Sequence, residues 1–451
     1  MRCRFVALTA TLCLLVSALV LLGSFVGTSS VAQAAGNLVD AAEIRVCPGG
    51  PPDCDYAVIQ DSVDAAGTGD VIKVATGVYS DVNNHGGLAQ VVYISKTVTI
   101  QGGYAITNWT TSDPDANPTT LDAGGQGRVL YITGKISPTV EGLRITGGEA
   151  QGLGGIPWGA DAGGGLYVIT ATALIRNNQI FSNTCSGFIP LGGGMTLWNS
   201  NATVSGNTFS HNIAGYGGGG LYSAWNHLPI SDNLFTSNSA GYGGGGVFLT
   251  GGGTAFIGNI LMSNTAEAFG GGLASEGGAQ WLINNVIADN HAGSAGGALW
   301  SSGSKPHLYH SSIARNSAGD GSGIYVADTE LGGLHSAVGL TNTILVDHAV
   351  GISVTGGSTV TVQAVLWYNT PITVSQSTTA TVTVQNQHTG DPAFTMDGYH
   401  LTRPSAAIDM GVEVDVPFDI DGDLRPAGAG YDLGADELWF KIYLPLVLRD
   451  A

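Results

Sequence analysis

The sequence predicts an all-β chain: a right-handed parallel β-helix solenoid of about 10–13 coils, with an N-terminal helical cap and a C-terminal capping module. Three observations carry this reading. A Gly run precedes Leu166, Met195, Leu221, Val247, Leu273, Leu299 and Ile324, at steps of 29, 26, 26, 26, 26 and 25 residues. Two Asn columns keep the same register: Asn178, Asn207, Asn233, Asn259 and Asn285, followed by Ser311, and Asn183, Asn212, Asn238, Asn264, Asn290 and Asn316. Between them runs an apolar column of Ile180, Phe209, Phe235, Leu261, Ile287 and Ile313. The apolar pieces are short, alternate with polar residues and are punctuated by Gly, Asn and Ser, which is the pattern of strands and turns. The Gly runs leave no stretch of good helix formers for a helical repeat of this size.

Residues 1–34 read as a secretory signal peptide. Arg2 and Arg4 supply the positive start, Phe5 to Val26 is mostly apolar, and Ala32-Gln33-Ala34 offers a small-x-small cleavage site. Left uncleaved, a stretch of this length could serve as an anchor. The expected location is secreted or cell-surface, with a membrane touched only through a terminal anchor.

Residues 35–135 hold the N-terminal cap and the first, irregular rungs. Ile59, Val63 and Ala66 share one helix face within Tyr56–Ala66, placed to cover the open first coil, and Val71–Ala75 reads as a strand. Cys47 and Cys54 bracket a turn-rich loop, and an exported chain can oxidise them to a local disulfide. Cys185 is left over and reads as a buried thiol.

Residues 136–400 are the repeat body. Equivalent strands of successive coils stack about 4.8 Å apart, giving a rod of roughly 50–60 Å whose apolar columns become interior ladders. Asn suits the left-handed conformation of a tight corner, and stacked Asn side chains can hydrogen-bond to one another and to corner amides. Gly relieves crowding where the chain turns or approaches the next coil. Residues 401–437 form a separate C-terminal module. Residues 438–451 are a tail, either a sorting signal or a final capping strand.

The formal net charge of −19 argues against nucleic acid and anionic membrane surfaces as partners. Charged residues make up only 11 %, so the chain is not a disordered acidic polymer, and its 70 Gly fall at fixed repeat positions.

Three segments resemble known families. Tyr56-Ala57-Val58-Ile59-Gln60, Gly69-Asp70-Val71-Ile72-Lys73-Val74 and Gly77-Val78-Tyr79 resemble the opening of pectate-lyase-like β-helix proteins. Gly218-Gly219-Gly220-Leu221, Phe209-Ser210-His211-Asn212 and Phe235-Thr236-Ser237-Asn238 resemble the GG[AI] and FxxN motifs of the polymorphic outer-membrane protein family, which implies a surface adhesin. The chain departs from that family in having too few residues after the last rung for a translocator barrel. Ser405-Ala406-Ala407-Ile408-Asp409, Asp419-Ile420-Asp421-Gly422-Asp423-Leu424-Arg425-Pro426 and Gly434-Ala435-Asp436-Glu437 resemble the choice-of-anchor Q module of secreted bacterial β-helices.

The catalytic signal is weak. β-Helix lyases generally use an Arg or Lys base beside calcium-holding acids, yet Arg176 is the only Lys or Arg between Ile145 and Ser304. Asp232, Glu267, Glu276 and Asp289 share no repeat column, as the paired carboxylates of a hydrolase would need a common site. His211, His227, His291, His307 and His310 are scattered likewise.

Binding has a better candidate. The column Tyr167, Thr196, Tyr222, Phe248, Ala274, Trp300 and Tyr325 follows the inward residues of the Gly-run strands, so strand alternation turns it away from the core. Tyr167, Tyr222, Phe248, Trp300 and Tyr325 form either a strip for polysaccharide or a surface protein, or a stack that stabilises the outer face or lies under a loop. Asp419, Asp421 and Asp423 read either as Ca²⁺ ligands or as an Asp-rich turn; no other cofactor is expected. The expected function is a non-catalytic scaffold for adhesion or binding. A polysaccharide lyase or glycoside hydrolase and a structural envelope protein are the alternatives.

Overall fold

The computed structural model describes residues 41–329 and 334–439, all within one compact unit. The expected signal peptide and residues 440–451 of the expected tail lie outside the described residues. The chain winds as a right-handed parallel β-solenoid of about 13 turns with almost no helix. One coil shows the plan. Leu221–Ala224 forms the first face, Ile230–Ser231 the second, Leu234–Thr236 the third, and Ser239–Ala240 a short strip that leads into the next Gly run. Each strand pairs in parallel with its counterparts one coil away, residue for residue: Leu221 with Met195 and Val247, and Phe235 with Phe209 and Leu261.

The period follows from side-chain stacking. The apolar column from Ile180 to Ile313 is fully buried, and the Phe209 and Phe235 rings stack 4.7 Å apart. Each such side chain contributes about 1.5–3 kcal/mol by leaving water. On the short strip, Cys185, Ala214, Ala240, Ala266 and Ala292 are buried in register. Cys185 therefore occupies an alanine position in the stack.

The corners differ from expectation in one respect. The laddered Asn residues do not adopt the left-handed conformation; the residue before each does. That residue is Asn177, Gly206, Asp232, Gly258 or Asn284 at the first corner, and Ser182, His211, Ser237, Ser263, Asp289 or Arg315 at the second. The Asn side chains instead serve as internal hydrogen-bonding units. Asn238 Nδ2 donates to Asn264 Oδ1 (3.0 Å) and to the Phe209 carbonyl, while its Oδ1 accepts from the Asn212 amide and side chain. Asn207, Asn233, Asn259 and Asn285 form the parallel ladder at the other corner. Asn212, Asn238, Asn264 and Asn290 continue at the second corner to Asn316, which ends against His348. Side chains that satisfy buried backbone groups in two coils at once lock the register.

At the N-terminal end, helix α1 (Ile59–Ala65) buries Ile59 and Val63 against the first coils. It is shorter than the Tyr56–Ala66 face suggested. Lys96 Nζ closes its end by donating to the Asp64 and Ala66 carbonyls. Cys47 and Cys54 are joined by a disulfide.

Among the described residues, the C-terminal segment (391–439) does not cross the last coil as a cap. From Asp391 onward it lies along the flank, over the outer side of the third face. There Leu401, Ala407, Leu433 and Ala435 pack against Val286, Ala288, Ala314, Ile344 and Leu366. It is pinned by Asn284 Nδ2 to the Phe418 carbonyl, by Ser312 Oγ accepting from the Ala435 amide, and by Asn342 bonding both backbone groups of Val412. The outer sides of these third-face strands carry small and branched apolar residues, which the flank segment keeps from water.

Candidate functional site

The aromatic column does turn out of the central core, but outward does not mean exposed. Tyr167 is 1 % exposed, and Tyr222, Phe248 and Trp300 are also buried. They form a second core with Ile156, Ala162, Leu191 and Trp198, beneath the Gly-rich connections. The Gly run makes this possible: a Cβ on Gly217 would lie 2.9 Å from the Phe248 ring, and one on Gly155 3.3 Å from Tyr167. Arg128 is buried beside Tyr167 and Tyr131, its Nε donating to the Ala162 carbonyl. Tyr167, Tyr222 and Phe248 thus hold the connections onto the first face, and only Trp300 and Tyr325 of the expected strip reach an open surface.

That surface is a groove of about 1230 Å³ along the outer side of the first face. One wall is made by residues that follow successive first-face strands. These are Trp225, Gly251, Gly277, Gly303 and Asp328, each one position after the registered series Ala224, Thr250, Glu276, Ser302 and Ala327. Thr355 and Thr379 extend it over two further coils. At the coil spacing, six steps give a length of about 29 Å. The opposite wall and floor are aromatic. Tyr242 and Phe269 come from the Gly-rich connections, and Trp300 and Tyr325 from the strands. Phe269 stacks on Trp300 at 5.2 Å and meets Tyr242 edge-on at 5.4 Å.

Trp225 is 44 % exposed and lies over Gly251, where a Cβ would come within 2.5 Å of its Nε1. Behind it, Trp198 and the exposed Trp158 continue the line, each pair of rings edge-to-face at 4.9 Å. Flat rings in this setting present apolar faces to a ligand while their neighbours fix their orientation.

The carboxylates of the groove are Glu276 and Asp328, set among the hydroxyls of Thr250, Ser302, Thr355 and Thr379 and the His335 ring. Among the described residues, no Lys or Arg lines it. Glu276 is exposed to the groove, yet partial desolvation by the surrounding walls raises its pKa, and among the described residues its carboxylate makes no hydrogen bond or ion pair. Asp328 Oδ1 lies 3.1 Å from His335 Nδ1. Sequence reasoning missed Trp225, Tyr242 and Phe269, and treated Glu276 as isolated. A partial signal was present: Gly215–Gly220 and Gly241–Gly246 are the same hexapeptide, with Tyr216 and Tyr242 at its second position.

The Asp triplet is divided rather than assembled. Asp419 accepts from the backbone amides of Asp421, Asp423 and Glu437, so it shapes its own turn. Among the described residues, the ligand atoms that converge within 4.8 Å belong to His400, Asp421 and Asp436. His400 is 2.6 Å from Asp397 through Nδ1 and 2.6 Å from Asp421 through Nε2. Two carboxylate partners require both ring nitrogens to donate, so His400 is the cation of this cluster. Burial alone would lower its pKa, but the bonds to Asp397 and Asp421 outweigh that and raise it.

No curated protein matches the chain. Among solved structures it is similar to the crystal structure of pectate lyase Pel9A, with 13 % identity over 88 % of this chain and 97 % of that one, and a TM-score of 0.36. It is also similar to the complex structure of XylC with xylose, with 9 % identity over 87 % of this chain and 98 % of the other, and a TM-score of 0.47. The family described as the right handed beta helix region matches residues 75–265 and 241–387, which is more than half of the chain. The chain therefore belongs to the right-handed β-helix region family.

Proposed function

We propose that this protein is a secreted or cell-surface β-helix scaffold that binds a neutral polysaccharide in the first-face groove, without cleaving it. The observation that carries the reading is the long groove lined by Trp225, Tyr242, Phe269 and Trp300 and, among the described residues, by no Lys or Arg. Aromatic faces suit the apolar faces of sugar rings. A polyuronate would set its carboxylates against Glu276 and Asp328 with no lining Lys or Arg to neutralise them, so a neutral chain fits better. The export signal and the likeness of the C-terminal segment to an anchor module support display at the surface. In this reading the flank segment ties the chain to an envelope, and residues 440–451 carry the attachment.

The test is a panel of neutral and acidic polysaccharides in affinity electrophoresis, with reducing ends measured in parallel. Trp225→Ala, at an exposed position, is expected to weaken binding up to about tenfold with the solenoid's circular dichroism unchanged, as loss of one stacked ring implies. Failure of every neutral polysaccharide to bind overturns the reading.

A second reading, glycoside hydrolysis, draws on Glu276, whose raised pKa suits a group that holds a proton for transfer. Release of reducing ends that Glu276→Gln abolishes would favour it over a purely binding role.

A further inference from the structure

The two ends of the solenoid are finished differently. At the N-terminal end, helix α1 lays Ile59 and Val63 against the core, and the strand Glu43–Val46 carries the ion-paired Glu43 and Arg45. At the other end, Ile372–Gln376 and Thr381–Thr389 are the last rung, and among the described residues no strand pairs with their outer edges. The interior column opens to solvent there within one register step. Val360 and Val362 are 2 % and 0 % exposed, whereas their partners are a half-buried Val382 and a Val384 that is 38 % exposed. Ile372 is exposed as well. An open edge with an uncovered apolar core is the kind of feature that solenoids and sheets ordinarily blunt with charge or a cap. Here Thr381–Thr389 contains no Asp, Glu, Lys or Arg.

Nothing within the described chain turns back over this rung. The C-terminal segment leaves it at Gly390 and follows the flank. Along that flank Gly434 bonds to Asn342 and Ala435 to Ser312, one coil further from the open end.

We propose that two copies of this chain join end to end through the last rung, Thr381–Thr389 pairing antiparallel with its counterpart about a two-fold axis. The rung's own composition fits a second copy: an uncharged edge strand of alternating Thr and Val is complementary to its own equivalent. Two chains of net charge −19 repel over most of their surfaces, and the uncharged end rung is where close approach costs least. The alternation Thr381-Val382-Thr383-Val384 brings Val against the open core of the partner while the backbone edges complete each other's hydrogen bonds. Because α1 covers the opposite end, the contact is isologous and stops at two copies rather than growing into a fibre. A nine-residue strand spans about 30 Å, and a coil about 20 Å across then buries on the order of 1,200 Å² in total, the small end of stable interfaces. The product is a double-length rod that carries two first-face grooves, which raises the avidity for any polymeric ligand. The pairing itself does not depend on what the groove binds.

Sedimentation of the purified chain from about 1 to about 100 µM tests this, a range that brackets the affinity such a contact area supports. The expected result is a mass that doubles and then stays constant. Val384→Lys and Gln387→Lys, the latter at an exposed position, are each expected to halve the mass at the upper concentration while the solenoid's circular dichroism is unchanged. Val78→Lys, exposed near the other end, leaves the dimer intact. Deleting residues 440–451 is expected to leave the dimer unchanged. The proposal is overturned by a single-chain mass at every concentration, by a dimer that survives both Lys variants, by growth beyond two copies, or by dimers that form only after the deletion. That last outcome would identify the tail as the cover of the rung.

Discussion

In the coils, Asn212, Asn238 and Asn264 bury neutral amides that bond to their own equivalents above and below. On the flank, Arg425 and Glu437 bury opposite charges. Arg425 Nη1 donates to Glu437 Oε2 at 2.9 Å and Nη2 to the Gly434 and Ala435 carbonyls, with both side chains essentially inaccessible. Both regions satisfy polar groups in a low-dielectric setting, but by different means. A repeat offers every Asn an identical neighbour at a fixed spacing, so neutral groups suffice and the solution extends with the coil number. A segment that occurs once has no such neighbour, and each of its backbone groups needs a dedicated partner. Charge-assisted bonds supply these, at the cost of desolvating ions.

Four experiments would break or sharpen this contrast. The largest effect is expected from Glu437→Leu, which leaves Arg425 buried and unpaired, at about 4 kcal/mol. Because the flank is the part that depends on this pair, limited proteolysis should cut within 391–439 while the solenoid's circular dichroism persists. Loss of the whole transition would instead show that flank and coils unfold as one unit. Asn238→Ala comes next at about 3 kcal/mol, since it orphans the Asn212 amide and the Phe209 carbonyl together. Chemical denaturation would show it as a lowered midpoint. Asn238→Asp should be no milder, because its carboxylate cannot donate to Asn264.

Opening the disulfide with Cys47→Ser is expected to cost about 2 kcal/mol, as for a short closed loop, in the same measurement.

The smallest expected effect is on pH dependence, and its sign differs between the regions. Burial pushes His348, at the end of the second Asn ladder, down to about 4 from an ordinary 6.5. Its unfolded form takes up a proton first, so the stability tied to neutral His348 is full above 6.5 and is lost as pH falls toward 4. Burial pushes Asp432 and Asp436 up to about 6 from an ordinary 3.8. Here the folded form takes up the proton first, so the flank gains as pH falls from about 6 toward 3.8. Hydrogen exchange at pH about 7 and about 5, corrected for intrinsic rates, should therefore show weaker protection around Asn316 and stronger protection around Asp432–Asp436 in acid. Parallel changes in both regions would contradict the assignment of these groups.

The aromatic column shows how far the sequence could be read. Alternation placed Tyr167, Tyr222, Phe248 and Trp300 outside the central core, because strand geometry alone decides which way a side chain turns. It could not say that Gly155 and Gly217 fold the connections down over them, which is a matter of contact between different parts of a coil. The groove was hidden for the same reason. Trp225 and Asp328 share a column whose other members, Gly251, Gly277 and Gly303, give it no constant residue type, Glu276 sits one position earlier, and the three come to line one groove only because the register stacks those strand ends.

By itself the sequence determined the coil. A fixed period, columns of Ile, Leu and Phe, and columns of Asn leave one arrangement in which every column stacks on itself, and that arrangement is local to neighbouring repeats. Only the tertiary structure decided what lies on the outside of the rod. Ala435 meets Ser312 across 123 residues, the flank segment covers a side, and among the described residues no strand pairs with the last rung's outer edge. Such contacts have no period to announce them, because they depend on where a unique segment finds complementary polar and apolar groups on a surface the repeats have already built.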